Sequence, residues 1–351
     1  MMRWFFFLFL ISSMPSFSQQ AWGLVRFKDG SHAYVTDSLK VIYQEKKDSS
    51  PSEKIFTISE GLGRIRRDGK YGYMNHKGEI VIPCKFEKAE DFHEGLAQVT
   101  VNGKWGYIDR SGNLVISPQF DFALKFSCGM AAVGKNRNYT FIDRNGQLMS
   151  NFKFDRVSHF KENKAWVLIN GRWGCINKKG EYIIPLLYSD TYDFHEGRAW
   201  VKKDQQWGMI DSSNTFVINP VRGNSLIYAH SDSYSTLGIF SCHRLVYRVD
   251  EKAGYYDFTL KKVIPPNFRR ASDFRDGYAL VVTGDGPAVI DTTGAYLVKP
   301  GYKDISFTGV PHLLAVKKPA GEHWGLYNTK TKSEIRGEYS AIINFEVIDK
   351  P

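Results

Sequence analysis

Only four cysteines occur in 351 residues: Cys84, Cys128, Cys175 and Cys242. None forms a Cys-x-x-Cys pair, so structural zinc and thioredoxin-like exchange have no support. Four cysteines allow three pairings and the wide spacing favours none; small buried thiols are the expectation. No His-Glu-x-x-His helix, Gly-x-Ser-x-Gly elbow or phosphate-binding glycine loop is present. Long basic runs are missing too, although Lys and Arg number 47 against 37 Asp and Glu. The net charge of +10 suits an anionic glycan or lipid surface. Scattered as they are, the cations read first as a well-solvated surface. Beyond the N-terminus no apolar run approaches the roughly 20 residues that span a bilayer. No metal or cofactor is expected.

Residues 1–18 stand apart. Arg3 is their only charge, Trp4–Ile11 is continuously apolar, Pro15 breaks the run, and Ser16-Phe17-Ser18 follows. This is the pattern of a cleaved signal peptide, with the mature chain beginning near Gln19. A secreted or periplasmic location follows as an expectation. No Cys stands near the cleavage point, which argues against a lipoprotein anchor. Nucleic acid would be an odd partner for an exported chain.

What the sequence does have is a period. Trp105-Gly106, Trp173-Gly174 and Trp207-Gly208 fall on a 34-residue spacing, with Tyr139-Thr140 as the degenerate copy between the first two. Tyr71-Gly72 precedes them; Ala253-Gly254, Pro287-Ala288 and Trp324-Gly325 follow, after steps of 46, 34 and 37. Other positions keep phase: a turn Gly at Gly95 and Gly129, an Ala at Ala97 and Ala131, an Asp or Asn at Asp109 and Asn177, an aromatic at Phe120 and Tyr188. A period of this length marks a repeat architecture. Residues 19–57 do not repeat cleanly, and Trp22-Gly23 lacks an Asp or Asn at the right distance to be read firmly as a ninth copy. The 46-residue step places 12 extra residues near 219–242.

Each unit reads as a β-meander. Leu96–Val101 alternates as a half-buried strand does. Asn102-Gly103 is a tight-hairpin signal. Lys104–Asp109 is a second strand, Asp109-Arg110-Ser111-Gly112 a turn, and Asn113–Ile116 a third strand ended by Pro118. Phe120–Phe126 is a connector with room for a short fourth strand.

Lys104-Trp105-Gly106-Tyr107-Ile108-Asp109 and its seven in-phase copies resemble the Trp-Gly repeat family, found mainly in bacterial proteins, over roughly residues 58–345. That resemblance implies no general enzymatic activity. The fold expected is all-β: about eight three-stranded antiparallel units of 34 residues, stacked as a propeller-like ring or curved β-array, with the ring preferred to an open solenoid.

Two pairs invite chemistry. Asp91-Phe92-His93-Glu94-Gly95 recurs as Asp193-Phe194-His195-Glu196-Gly197, three units away. A pre-strand turn explains both, and Asp273-Phe274-Arg275-Asp276-Gly277 fills the same position without His. One turn carboxylate per unit does not converge on a calcium ion, which needs six to eight oxygens. Trp105, Trp173 and Trp207 are expected in the core. Trp166 and Trp200, equivalent positions of adjacent units, alternate onto the face opposite Ala165 and Ala199. They are expected to line an exposed patch with Tyr228, Tyr234, Lys202, Lys203 and Arg222, the last favouring an anionic group together with the lysines. The function expected is exported, non-catalytic binding or scaffolding, with an unknown protein or an anionic glycan as partner. The alternatives are a glycan-acting enzyme and a structural envelope component.

Overall fold

A computed structural model describes residues 21–36, 38–45, 53–151, 153–220, 240–310 and 312–347. Among them no helix occurs, and the strands form nine small antiparallel sheets, the blades of a ring-shaped β-propeller. Blade 3 shows the pattern: Lys88–Ala89, Leu96–Val101, Lys104–Asp109 and Leu114–Phe120, paired in that order. The first two long strands are those expected from the meander; the third does not end at Pro118 but runs on to Phe120, because the proline sits in a bulge where the ladder is interrupted, and the connector supplies the short strand Phe122–Ala123 of the next blade. Blade 2 runs Lys54–Phe86, blade 4 Phe122–Asp143, blade 5 Arg156–Tyr188, blade 6 Asp190–Ile218, blade 7 Arg244–Phe268, blade 8 Arg270–Val298 and blade 9 Asp304–Tyr339.

Blade 1 closes the ring. Ala21–Arg26, His32–Thr36 and Val41–Gln44 are joined by Ala341–Val347, which pairs antiparallel with Ala21–Arg26 (Arg26 opposite Ala341, Gly23 opposite Phe345). One sheet holds both ends of the array, so no blade is left with an unpaired face, the hazard of open β-arrays. Blade 1 is also a ninth copy of the unit, in a phase that Trp22-Gly23 does not mark. Tyr34 pairs with Leu24 as Tyr107 pairs with Gln98, which puts His32-Ala33 at the Trp-Gly position. Thr36 then takes the turn position of Asp109, its hydroxyl accepting from the Lys40 N–H, and Leu39 stands at φ 63° where five other units use Gly and blade 7 uses Leu260 at φ 64°.

The motif glycine has a steric cause. The fourth strand bulges between Ile116 and Phe120, and a Cβ on Gly106 would lie 2.5 Å from the Ile116 carbonyl oxygen and 2.7 Å from the Pro118 nitrogen. Only a residue without a side chain admits that approach. Beside Thr140, where the glycine is replaced, the fourth strand is reduced to isolated bridges, and the Thr140 hydroxyl donates to the Ser150 carbonyl at 3.0 Å. Beside Ala288 the fourth strand is the short Tyr296–Val298, and blade 6, which keeps Gly208, has an equally short Phe216–Ile218.

The hydrophobic core lies between blades. Leu96, Tyr107, Ile116 and Phe120 of blade 3 pack against Phe126, Ala131, Val133 and Ile142 of blade 4, and the same positions recur around the ring. A single unit therefore has half a core, which is why the copies must stack.

Candidate functional site

The turn carboxylates are structural. Asp109 Oδ1 accepts from the backbone N–H groups of Ser111 and Asn113, both at 2.9 Å, and Asn75, Asp143, Asn177, Asp211, Asp257 and Asp291 cap their own turns in the same way. The backbone bond from Asn113 and its companions holds the Asp109 carboxyl below its ordinary range. The His-Glu pairs are two-residue hairpin turns: His93 and Leu96 exchange both backbone bonds across Glu94 and Gly95, which adopt φ 53° and 78°. The glutamate reaches into the next blade. Glu60 accepts from the Gly95 N–H, Glu94 from Gly129, Glu162 from Gly197 and Glu196 from His243, all at 2.8–2.9 Å. Cys242 Sγ takes the same place toward Gly277 at 3.3 Å. The four cysteines are free thiols, and Cys175 is buried with its pKa pushed up to about 12 by desolvation. Among the described residues no group of three or more His, Cys, Asp or Glu gathers closely enough to hold a metal ion.

Trp166 and Trp200 are each 2% exposed, which corrects the expectation of an exposed aromatic patch. Strand alternation does place them opposite Ala165 and Ala199, but in a stacked array both faces of a blade are covered. Their position is occupied by Arg64 in blade 2, Gln98 in blade 3, Trp166 in blade 5 and Trp200 in blade 6. Directly across the hairpin stand Tyr73, Tyr107, Cys175 and Met209. Where the partner is Tyr, its ring packs edge-on against the next blade's Phe, as Tyr107 on Phe126 at 4.9 Å, and its hydroxyl donates to a connector carbonyl, Leu124 at 2.7 Å. Where the partner is Cys175, Trp166 fills that volume and stacks on Phe194. The two strands exchange the bulky residue, and the core stays full.

Of the other residues expected at the patch, Lys202 lies half-buried with its ammonium 5.9 Å from the Trp207 ring centroid, and Lys203 is exposed at the hairpin end. Arg222, Tyr228 and Tyr234 lie outside the described residues. The motif tryptophans Trp105, Trp173 and Trp207 are half-buried rather than fully enclosed, because they sit at the ends of the inter-blade cores.

The exchange has a consequence in blades 2 and 3. With Tyr73 and Tyr107 filling the core, the residues opposite them are the polar Arg64 and Gln98. Between blades 3 and 4 lies a cavity of about 380 Å³ lined by Gln98, Trp105, Phe122, Ala123 and Leu124, with Glu90, Asp91, His93, Lys125 and His159 at its polar side. Gln98 is 4% exposed and its Oε1 has no hydrogen-bond partner. The equivalent cleft between blades 2 and 3, about 420 Å³, shares Glu90 with it. There Arg64 covers Phe56 at 5.0 Å and Arg66 covers Tyr71 at 5.8 Å, so its aromatic surface is already capped by the chain's own cations. Arg64 also pairs with Glu90 at 2.8 Å and Asp91 at 3.5 Å, which anchors the wall between the two clefts. Thr57 donates to the other Asp91 oxygen at 2.6 Å. Burial, with Lys125 adding to it, holds the His93 imidazole below its ordinary pKa.

Sequence reading assigned Trp105 to the core and His93 to a turn, and gave Gln98, Asp91, Lys125 and His159 no site role. The available signal was the repeat itself: a polar residue in the row that carries Trp166 and Trp200.

A family model described as the WG-containing repeat matches residues 71–105, 105–139, 139–173, 173–207 and 254–286. No curated protein matches the sequence. Among solved structures, a eukaryotic initiation factor is similar at 11% identity with a TM-score of 0.60, over 93% of this chain and 98% of that one. The dihydro-heme d1 dehydrogenase NirN, 12% identical over 93% of this chain and 75% of that one, has a TM-score of 0.43. AztD from Citrobacter koseri, 11% identical over 93% and 96%, has 0.40. At these identities the likeness to the initiation factor is one of fold alone.

Proposed function

The chain belongs to the WG-containing repeat family, and from that premise we propose that it is an exported, non-catalytic recognition protein whose closed ring presents an inter-blade cleft to an extracellular partner. The observation that carries this reading is the cavity beside Gln98. A concave site with apolar walls and a few convergent polar groups is the ordinary form of a ligand pocket. The rigid ring around it suits binding without rearrangement. Export rests on Arg3, the Trp4–Ile11 run and Ser16-Phe17-Ser18.

The experiment uses a sealed variant, Ala123→Trp, which puts a large ring into the cavity that Ala123 lines. Wild type and variant are passed over immobilised surface polysaccharide and surface protein from the source cells. Wild type is retained saturably and returns the retained partner chemically unchanged, while the sealed variant, folded to the same extent, is not retained. Equal retention of both proteins, or conversion of the partner, would contradict the reading.

A further inference from the structure

Cations that are scattered along the sequence return to one end of the ring, because the 34-residue period brings equivalent positions to the same face. In blades 2–5 the first two long strands are joined by two-residue hairpins, with Arg67 opposite Lys70, Val101 opposite Lys104, Lys135 opposite Asn138 and Ile169 opposite Arg172. Equal turns leave the hairpin tips level. Register places two further stretches at this end: the close of the third long strand and the start of the next blade's short strand, since Phe120 lies opposite Trp105 and Lys88 opposite Thr100.

In blades 2–5 this hairpin end comprises residues 66–70, 85–88, 101–104, 119–122, 135–138, 153–156 and 169–172, with eleven cations and four acids. The opposite end of the same blades, residues 74–80, 90–96, 108–114, 124–130, 142–148, 158–164 and 176–182, has eight of each. The excess positive charge of these blades therefore lies on one side of the ring. Eight of the eleven cations are exposed. Three of the four acids are tied to the backbone beneath the hairpins: Glu87 accepts from the Gly103 N–H at 2.9 Å, Asp121 from Asn136 at 2.9 Å and Asp155 from Asn170 at 2.8 Å. None of the large exposed apolar side chains falls in these stretches. In blades 6–8 the hairpin turns carry Asp204, Asp250, Glu251 and Asp285, which ends the cationic arc.

We propose that the hairpin end of blades 2–5 docks electrostatically on an anionic lipid surface. Its cations spread both around the arc and across each blade at one level, which matches a planar array of headgroups; a linear polyanion is matched by cations in file. Long solvated side chains reach the headgroups without burying apolar surface, so the association is reversible and weakens with salt. This docking does not depend on the recognition reading, since it uses no ligand cleft.

The test compares the full wild-type chain with two variants that each lose four cations. One carries Lys70→Gln, Lys88→Gln, Arg137→Gln and Arg156→Gln at the hairpin end; the other carries Lys77→Gln, Arg110→Gln, Lys178→Gln and Lys179→Gln at the opposite end. All eight side chains are exposed, and thermal unfolding verifies that both variants keep the fold. Sedimentation with phosphatidylcholine vesicles carrying about one-third phosphatidylglycerol measures binding. Vesicles of phosphatidylcholine alone record whatever the apolar Trp4–Ile11 run contributes, which is common to all three proteins. Wild type should bind the anionic vesicles at low salt and leave them in about 0.5 M salt. Each cation near such a surface contributes about fivefold, so the hairpin-end variant should bind about a hundredfold more weakly or worse, and the opposite-end variant should stay within about threefold of wild type. Equal losses in the two variants would reduce the effect to net charge and overturn the proposal. So would binding that neutral vesicles share or that salt leaves intact. Soluble polygalacturonate is the competing partner: if it binds wild type while the anionic vesicles do not, the surface serves a polymer and lipid docking is wrong. Retention of surface material through the cleft is read by a different variant, so the two readings fail separately.

Discussion

Trp166 lies parallel to Phe194 of the next blade, 5.6 Å between ring centroids and 7° between planes. Its hairpin neighbour is Cys175, so the indole holds the place that Tyr107 holds in blade 3. Truncating it to Trp166→Ala should cost about 3–5 kcal/mol, the range for buried aromatics. Trp173→Ala, at a half-buried site, should cost about half as much. Urea denaturation of the two variants measures both; equal losses would deny that the row residue is the core filler.

The glutamate-to-backbone bonds make a second prediction. Glu162 accepts from the Gly197 N–H at 2.9 Å and ties blade 5 to blade 6. Glu162→Ala should lose about 1–2 kcal/mol, and Glu162→Gln less, since an amide oxygen can still accept. Hydrogen exchange at Gly197 should accelerate in the Ala variant. An unchanged rate would mean the bond is not made in solution.

Gly106 gives a third. Gly106→Ala places a methyl against the Ile116 carbonyl and should cost about 1–3 kcal/mol by overpacking. Ala288→Gly, where the fourth strand is already short, should relieve nothing and cost about 1 kcal/mol in chain entropy. Thermal unfolding of the pair checks the contrast; a harmless Gly106→Ala would remove the steric account of the motif.

Acidification should weaken the ring. His93 and His195 both have pKa values held below the ordinary 6.5, first by burial and then by Lys125 and Lys161 respectively. Lys161 Nζ stands 2.6 Å from His195 Nε2, which leaves no room for a second positive charge. The unfolded chain thus binds more protons than the folded one below about pH 6.5. Stability is whole above that value and falls as pH drops through the lowered folded pKa values. Melting temperatures at pH 7.5 and 5.5 should differ less in His93→Gln with His195→Gln than in wild type. An identical drop in both proteins would place the acid sensitivity elsewhere.

Much of this fold was legible because the repeat repeats its physics. Asn102-Gly103, the Asp109 turn and the Gly106 spacing each have a local cause, and local causes print themselves in every copy. Blade 1 was hidden because Thr36 and Leu39 perform the turn chemistry of Asp and Gly with different side chains, and because the strand in the place of Lys88–Ala89 comes from the other end of the chain. The aromatic row was less legible for a related reason. Period-two alternation tells which face a residue is on, but not whether that face meets solvent. In a ring of stacked blades both faces are inside, so Trp166 beside Cys175 and Gln98 beside Tyr107 are both buried. Gln98 could have been flagged as the polar member of an apolar row, but its meaning needed Tyr107 beside it.

A recognition site here requires an open space between blades 3 and 4, which Ala123 lines. In Ala123→Cys, maleimide labelling at position 123, mapped by mass spectrometry against the four native thiols, measures the opening directly. The introduced thiol should label at least tenfold faster than the buried thiol of Cys175, roughly 1.4 kcal/mol in accessibility. Equal labelling of positions 123 and 175 would show that the space is closed, and the recognition reading would lose its site.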